Sequence, residues 1–130
     1  MIVVDASAVV EILLRTPDAA RIEQRLFQPT ETLHAPYLLD VEVAQVLRRF
    51  EVRGELKAER GTQAIELLVR FPIARYPHEA LLPRIWRLRG RLTAYDAAYV
   101  ALAEALRARL LTRDARLARA GGHHARIELI

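Results

Sequence analysis

Apolar residues along the chain follow two alternating rhythms. Short runs bounded by turn residues read as strands: Ile2-Val3-Val4, Thr32-Leu33-His34-Ala35, Ile73-Ala74-Arg75-Tyr76, Arg109 to Thr112 and Arg126 to Ile130. Between them, longer stretches repeat their apolar positions every 3.6 residues. These predict helices over Ala6–Leu14, Pro17–Phe27, Tyr37–Arg53, Ala58–Val69, His78–Arg89, Thr93–Arg107 and Asp114–Ala120. In the third, Leu39, Val43, Val46, Leu47 and Phe50 make one apolar stripe. The helix opened by Thr93 is apolar and small on most sides, the pattern of a buried helix.

Punctuation agrees with these limits. Pro17 suits the first position of a helix, Pro36 ends a strand, and Pro83 falls in the first turn of a helix. Gly54 and Gly90 mark helix ends, and Gly121-Gly122 a turn. Strands alternating with helices imply an α/β domain with a parallel sheet. Residues 1–130 form one such domain, without internal repeat, linker or low-complexity segment.

Composition narrows the setting. The chain has no cysteine, so it has neither disulfides nor a thiolate metal site, which fits a reducing cytoplasm. It opens directly on a strand, without the basic and long apolar regions of a signal peptide. No apolar run approaches the roughly 20 residues of a membrane span. The expected location is therefore the cytoplasm, with no membrane partner. Basic residues exceed acidic ones by 20 to 16, and Lys57 is the only lysine. Arginine binds phosphate in a planar two-point fashion, although a genome rich in G and C gives the same bias.

Candidate chemistry lies in the acids. Of five aspartates, Asp5 and Asp114 each close or follow a predicted strand, and Asp96 stands at the head of the apolar helix. In a parallel sheet, strand-to-helix turns lie on the carboxyl edge, where ligands bind. Glu42 falls at the border of the apolar stripe of its helix. Such carboxylates, brought together, repel one another unless cations intervene. Oxygen ligands of this kind suit Mg²⁺ or Mn²⁺, which can activate water for phosphoryl displacement. Each acid also has a plainer role. Asp5 and Asp114 can cap helices, Asp96 can complete a capping box with Thr93, and Glu42 can reach solvent or pair with Arg49. Ser7 and Thr112 can orient a carboxylate, bind phosphate or bond locally to backbone. Arg113 and Arg116 flank Asp114, and Arg48 and Arg49 lie beyond Glu42, where they could hold a phosphate backbone. His123 and His124 read as a solvated loop, and Trp86 with Leu82, Ile85 and Leu88 as core or subunit interface.

Four segments together resemble the PIN-domain ribonucleases, and most closely the VapC-type toxins of bacterial toxin–antitoxin pairs. They are Ile2-Val3-Val4-Asp5-Ala6-Ser7-Ala8, Leu38-Leu39-Asp40-Val41-Glu42-Val43-Ala44, Tyr95 to Ala103, and Leu111-Thr112-Arg113-Asp114. The resemblance implies a three-layer fold with a parallel sheet in the order 3-2-1-4-5. It further implies Mg²⁺- or Mn²⁺-dependent endonucleolytic cleavage of RNA, a homodimer, and neutralisation by a VapB-like antitoxin. Metal-ligand roles carry over to Asp5, Glu42, Asp96 and Asp114, with Ser7 in support. Where some members place a further acid, this chain has Leu117, so one metal or two stays open. A housekeeping RNA-processing nuclease and a non-catalytic RNA-binding module of the same fold are the alternatives. An aspartyl-nucleophile phosphatase would want an acid where Ser7 stands, and no GxxxxGK[ST] loop is present.

Overall fold

The computed structural model describes residues 1–130. Its elements run β1 (Ile2–Val4), α1 (Ala6–Leu13), α2 (Ala19–Leu26), β2 (Leu33–Pro36), α3 (Leu38–Val52), α4 (Ala58–Arg70) and β3 (Ile73–Tyr76). A 3₁₀ turn (Glu79–Leu81) leads into α5 (Leu82–Arg87), α6 (Ala94–Leu106), β4 (Arg109–Thr112), α7 (Ala115–Arg119) and β5 (Arg126–Leu129). All strand pairings are parallel, and the sheet order is β3-β2-β1-β4-β5. This is the α/β order that the resemblance implied.

The chain begins at the middle of the sheet, moves outward through β2 and β3, then returns past β1 to β4 and β5. Right-handed crossovers then put α1 to α4 on one face and α5 to α7 on the other. The first group packs among itself, while α6 lies against β1, β2 and β4. Strand β1 is covered on both faces and is wholly apolar, with Ile2, Val3 and Val4 fully buried. Seven consecutive α6 residues, Ala97 to Ala103, are buried, as the all-round apolar pattern demanded. Small side chains let this helix lie close against the sheet.

Three boundaries differ from the sequence reading, each for a local reason. Pro36 belongs to β2 instead of ending it. It pairs with Tyr76 beyond the last β1 residue that β2 meets, so its missing N–H breaks no ladder bond on that side. The helix expected from His78 to Arg89 is broken into a 3₁₀ turn and a short α-helix. Pro83 has no N–H for the carbonyl four residues back, so a continuous first turn cannot close. Helix α2 starts at Ala19 and not at Pro17; Asp18 stands at its N-cap position, with its carboxylate bonded to Arg21 and Arg113. Gly54 ends α3 at φ +74°, the left-handed conformation that favours glycine.

Candidate active site

Because β1 and β4 are neighbours, the turns that follow them are neighbours too. Asp5 caps α1, accepting the Ser7 backbone N–H at 3.0 Å. Its two oxygens are then fixed from the side. The Ser7 hydroxyl donates to Oδ1 and the buried Thr112 hydroxyl donates to Oδ2. Each hydroxyl in turn accepts a backbone N–H of the β4–α7 turn, Arg113 to Ser7 at 3.0 Å and Asp114 to Thr112 at 2.9 Å. Ser7 and Thr112 thus act as carboxylate holders, tying the first strand to the fourth. Burial raises the Asp5 carboxyl above its ordinary value, even though these bonds favour its charged form.

Asp5, Glu42, Asp96 and Asp114 line one open cavity of about 590 Å³ together with Ser7, Tyr95, Tyr99, Gln45, Arg49 and Arg116. Asp96 sits in the first turn of α6, where Thr93 caps its backbone N–H at 3.1 Å. The reciprocal half of a capping box is absent, since the Thr93 backbone N–H does not donate to the Asp96 carboxylate; the Thr93 hydroxyl lies beside that carboxylate and favours its charged form. Desolvation, then the charge of Asp114, raises the Asp96 carboxyl. Glu42 projects from α3 and meets the Tyr99 hydroxyl at 2.6 Å, not Arg49. Its carboxyl is raised by desolvation, against the Tyr99 bond, and further by Asp5 and Asp96. Asp114 is the exception. Desolvation pushes it up, but the N–H groups of Arg116 and Leu117 that it caps hold it below the usual range.

The other two aspartates provide the contrast. Asp40 is paired with Arg75 at 2.8 Å, and Asp18 with Arg21 and Arg113. No arginine or lysine pairs with Asp5, Glu42 or Asp96, and Arg116 comes only to 3.6 Å of Asp114 with its side chain largely in solvent. Four carboxylates therefore share a concave site with little compensating charge. Their oxygens are the hard ligands that Mg²⁺ and Mn²⁺ prefer, and the set fits such an ion. No three of them close into a ready-made cage.

Sequence reasoning did not separate the neighbouring arginines. Arg116 and Arg49 line the cavity, while Arg48 does not. The Arg113 guanidinium is taken up by Asp18 and Glu11. Tyr99 was not singled out, since an aromatic in an apolar helix reads as core. Its ring is in fact core, being 2% exposed, but its hydroxyl faces the acids, and burial with Glu42 beside it pushes the phenol far above its ordinary value. Trp86 and Leu82 are exposed, whereas Ile85 and Leu88 are buried. The tetrad thus divides between surface and core. His123 bonds through Nε2 to the Ala120 carbonyl in its loop, away from the acids.

A family model described as PIN domain matches residues 2–123. The chain belongs to the PIN-domain family. Within it, the chain is 43% identical to Ribonuclease VapC12 of Mycobacterium tuberculosis, over 100% of this chain and 99% of that one. It is 46% identical to Ribonuclease VapC9 of the same organism, over 93% and 91%. Among solved structures, VapBC2 from Rickettsia felis, bound to a DNA fragment from its promoter, superposes with a TM-score of 0.73 at 15% identity, covering 99% and 98%. Mycobacterium tuberculosis VapC20, a Sarcin-Ricin loop cleaving toxin, gives a TM-score of 0.69 at 12% identity, covering 91% and 93%. At such identities these two likenesses concern the PIN fold alone.

Proposed function

We propose that this PIN-domain chain is a Mg²⁺- or Mn²⁺-dependent endoribonuclease that acts in the cytoplasm as the toxin of a VapBC-type pair. The observation that carries this reading is the gathering of Asp5, Glu42, Asp96 and Asp114 in one cavity, three of them without a cationic partner. The curated relatives named VapC ribonucleases support the same activity class.

Asp5, Glu42, Asp96 and Asp114 would hold the ion. A bound divalent cation supplies charge neutralisation at a phosphate and lowers the pKa of water. The protein supplies position. Asp5 is locked by Ser7 and Thr112, so its oxygens need no reorganisation when a cation and phosphate arrive. Arg49 and Arg116 at the rim take phosphates flanking the scissile one. The exposed ring of Tyr95 beside Asp96 offers a face on which a base stacks.

Partner binding has its own surface. Val41, Ala44, Ile65, Leu68 and Val69 line an apolar groove of about 520 Å³ between α3 and α4, with Asp40 and Arg75 at its edge. Val41 lines the acidic cavity as well, so the two depressions adjoin. A VapB-like antitoxin segment seated in the groove could place an Arg or Lys among the acids, imitating the cation. Leu82 and Trp86 are exposed, and a symmetric homodimer of this chain would cover them.

The test is RNA cleavage by the purified chain with Mg²⁺ or Mn²⁺, with excess EDTA, and with Asp96→Asn. Cleavage should vanish in the last two. Full activity in EDTA would end the metal-dependent reading. Expression should arrest growth and co-expression of the adjacent gene restore it; harmless overexpression of active enzyme would favour a housekeeping nuclease.

A further inference from the structure

Glu42 is the one acid of the cavity that no strand-to-helix turn or helix N-terminus holds. Asp5 and Asp114 are helix caps, and Asp96 lies in a first turn. Glu42 instead sits within α3 on a side chain with three free torsions, and the Tyr99 hydroxyl at 2.6 Å is its only hydrogen-bond partner. Tyr99 stands three residues beyond Asp96 on α6, so both project from the same side of that helix. Its ring is anchored in the core and its hydroxyl reaches the cavity wall.

We propose that Tyr99 is the positioning residue for Glu42. The phenol donates to Oε1 and leaves Oε2, which has no protein partner, for a divalent cation. A neutral donor orients the carboxylate without cancelling its charge, which an arginine at the same place would do. The rigid ring also ties α3 to α6, so that Glu42 and Asp96 keep a fixed relation across the cavity. Hydroxyls play this part twice more on Asp5, where Ser7 and Thr112 do the holding. The proposal rests on reading the four acids as a cation site.

Mn²⁺ binding to Tyr99→Phe, Glu42→Gln and the double variant, followed by calorimetry beside the unaltered protein, tests it. Tyr99→Phe keeps the ring and should weaken Mn²⁺ binding about tenfold or more, the usual effect of losing a partner that orients a ligand. Its metal-free thermal midpoint should stay near that of the unaltered chain. The double variant should bind no more weakly than Glu42→Gln alone, because the hydroxyl acts through Glu42. Unchanged binding by Tyr99→Phe beside weakened binding by Glu42→Gln would make Tyr99 core filler and overturn this inference alone. Additive losses, or a Phe variant that does not fold, would overturn it also. No Mn²⁺ binding by the unaltered protein would remove the cation reading and this inference with it.

Discussion

The Arg113 guanidinium donates to Asp18 at 2.9 Å and approaches Glu11 at 3.4 Å, although Arg113 is the sequence neighbour of Asp114. A residue adjacent to the candidate site thus fastens the β4–α7 turn to α1 and to the start of α2. Arg113→Ala should lower the thermal midpoint while leaving the salt dependence of RNA binding unchanged. Arg49→Ala or Arg116→Ala should do the reverse. Each lost phosphate contact reduces the slope of log K against log salt by about one, and stability should stay within about 0.5 kcal/mol. Equal slopes in all three variants would remove the rim arginines from RNA binding.

Asp96 and Asp5 should respond oppositely to replacement by asparagine. No N–H donates to the Asp96 carboxylate, and desolvation and Asp114 raise it in spite of the Thr93 hydroxyl beside it. The folded chain therefore disfavours its ionised form, and Asp96→Asn should raise the midpoint of the metal-free protein. Asp5→Asn disturbs bonds with Ser7 and Thr112 and should cost about 1–2 kcal/mol. Both variants should lose cleavage by more than about a hundredfold. Thermal melts in EDTA check the stabilities, and destabilisation by both would leave capping as the main service of the acids.

His34 sets a pH limit far from the acids. It is buried in β2 between the Thr32 and Tyr76 hydroxyls, and burial lowers its ring below the ordinary value, helped by the positive chain terminus. The unfolded chain then takes a proton first as pH falls. Stability should be fully present above about 6.5 and erode below it, down to the lowered folded value. The raised carboxyls of Asp5, Glu42 and Asp96 act the other way, gaining stability on protonation. Urea unfolding of the protein and of His34→Asn at about pH 5.5 and about pH 7.5 isolates the imidazole. The variant should lose less between the two, and identical losses would exclude His34.

Tyr95 should matter to substrate more than to fold. Its side chain is 65% exposed at the cavity edge, and no hydrogen bond holds its hydroxyl. Tyr95→Ala should raise KM about tenfold, a stacked base contributing about 1–3 kcal/mol, with little change in kcat. Tyr95→Phe keeps the ring and should behave as the parent. Steady-state cleavage of one RNA by all three proteins decides it, and a loss confined to kcat would count against stacking.

Much of this arrangement was legible in sequence, because parallel α/β topology dictates where strand ends go. Asp5 and Asp114 follow strands that any such sheet places on one edge, and Glu42 was visible at the border of an apolar stripe. Arg49 could have been chosen over Arg48 on the same wheel, since it lies seven residues from Glu42, two turns along one face. Arg113 could not have been separated from Arg116. Which way a side chain leaves a turn depends on Asp18 and Glu11, about a hundred residues earlier. Pro83 does lie in a first turn, that of α5, but the helix was read as starting four residues too early, at His78 instead of Leu82, because a proline marks a helix start without fixing how far upstream the turn before it reaches. Tyr99 stayed hidden because its ring obeys the core pattern while only one oxygen departs from it.

The bond from Thr112 to Asp5 spans 107 residues. Asp5 is synthesised before one of the two hydroxyls that hold it and two of the acids beside it, which come from Thr112, Asp96 and Asp114. A nascent chain can therefore carry β1 through the synthesis of 107 further residues without a formed cavity. Any activity seated there switches on only after Asp114 has been made, so the cell that makes this protein is spared its chemistry on every copy cut short before that point.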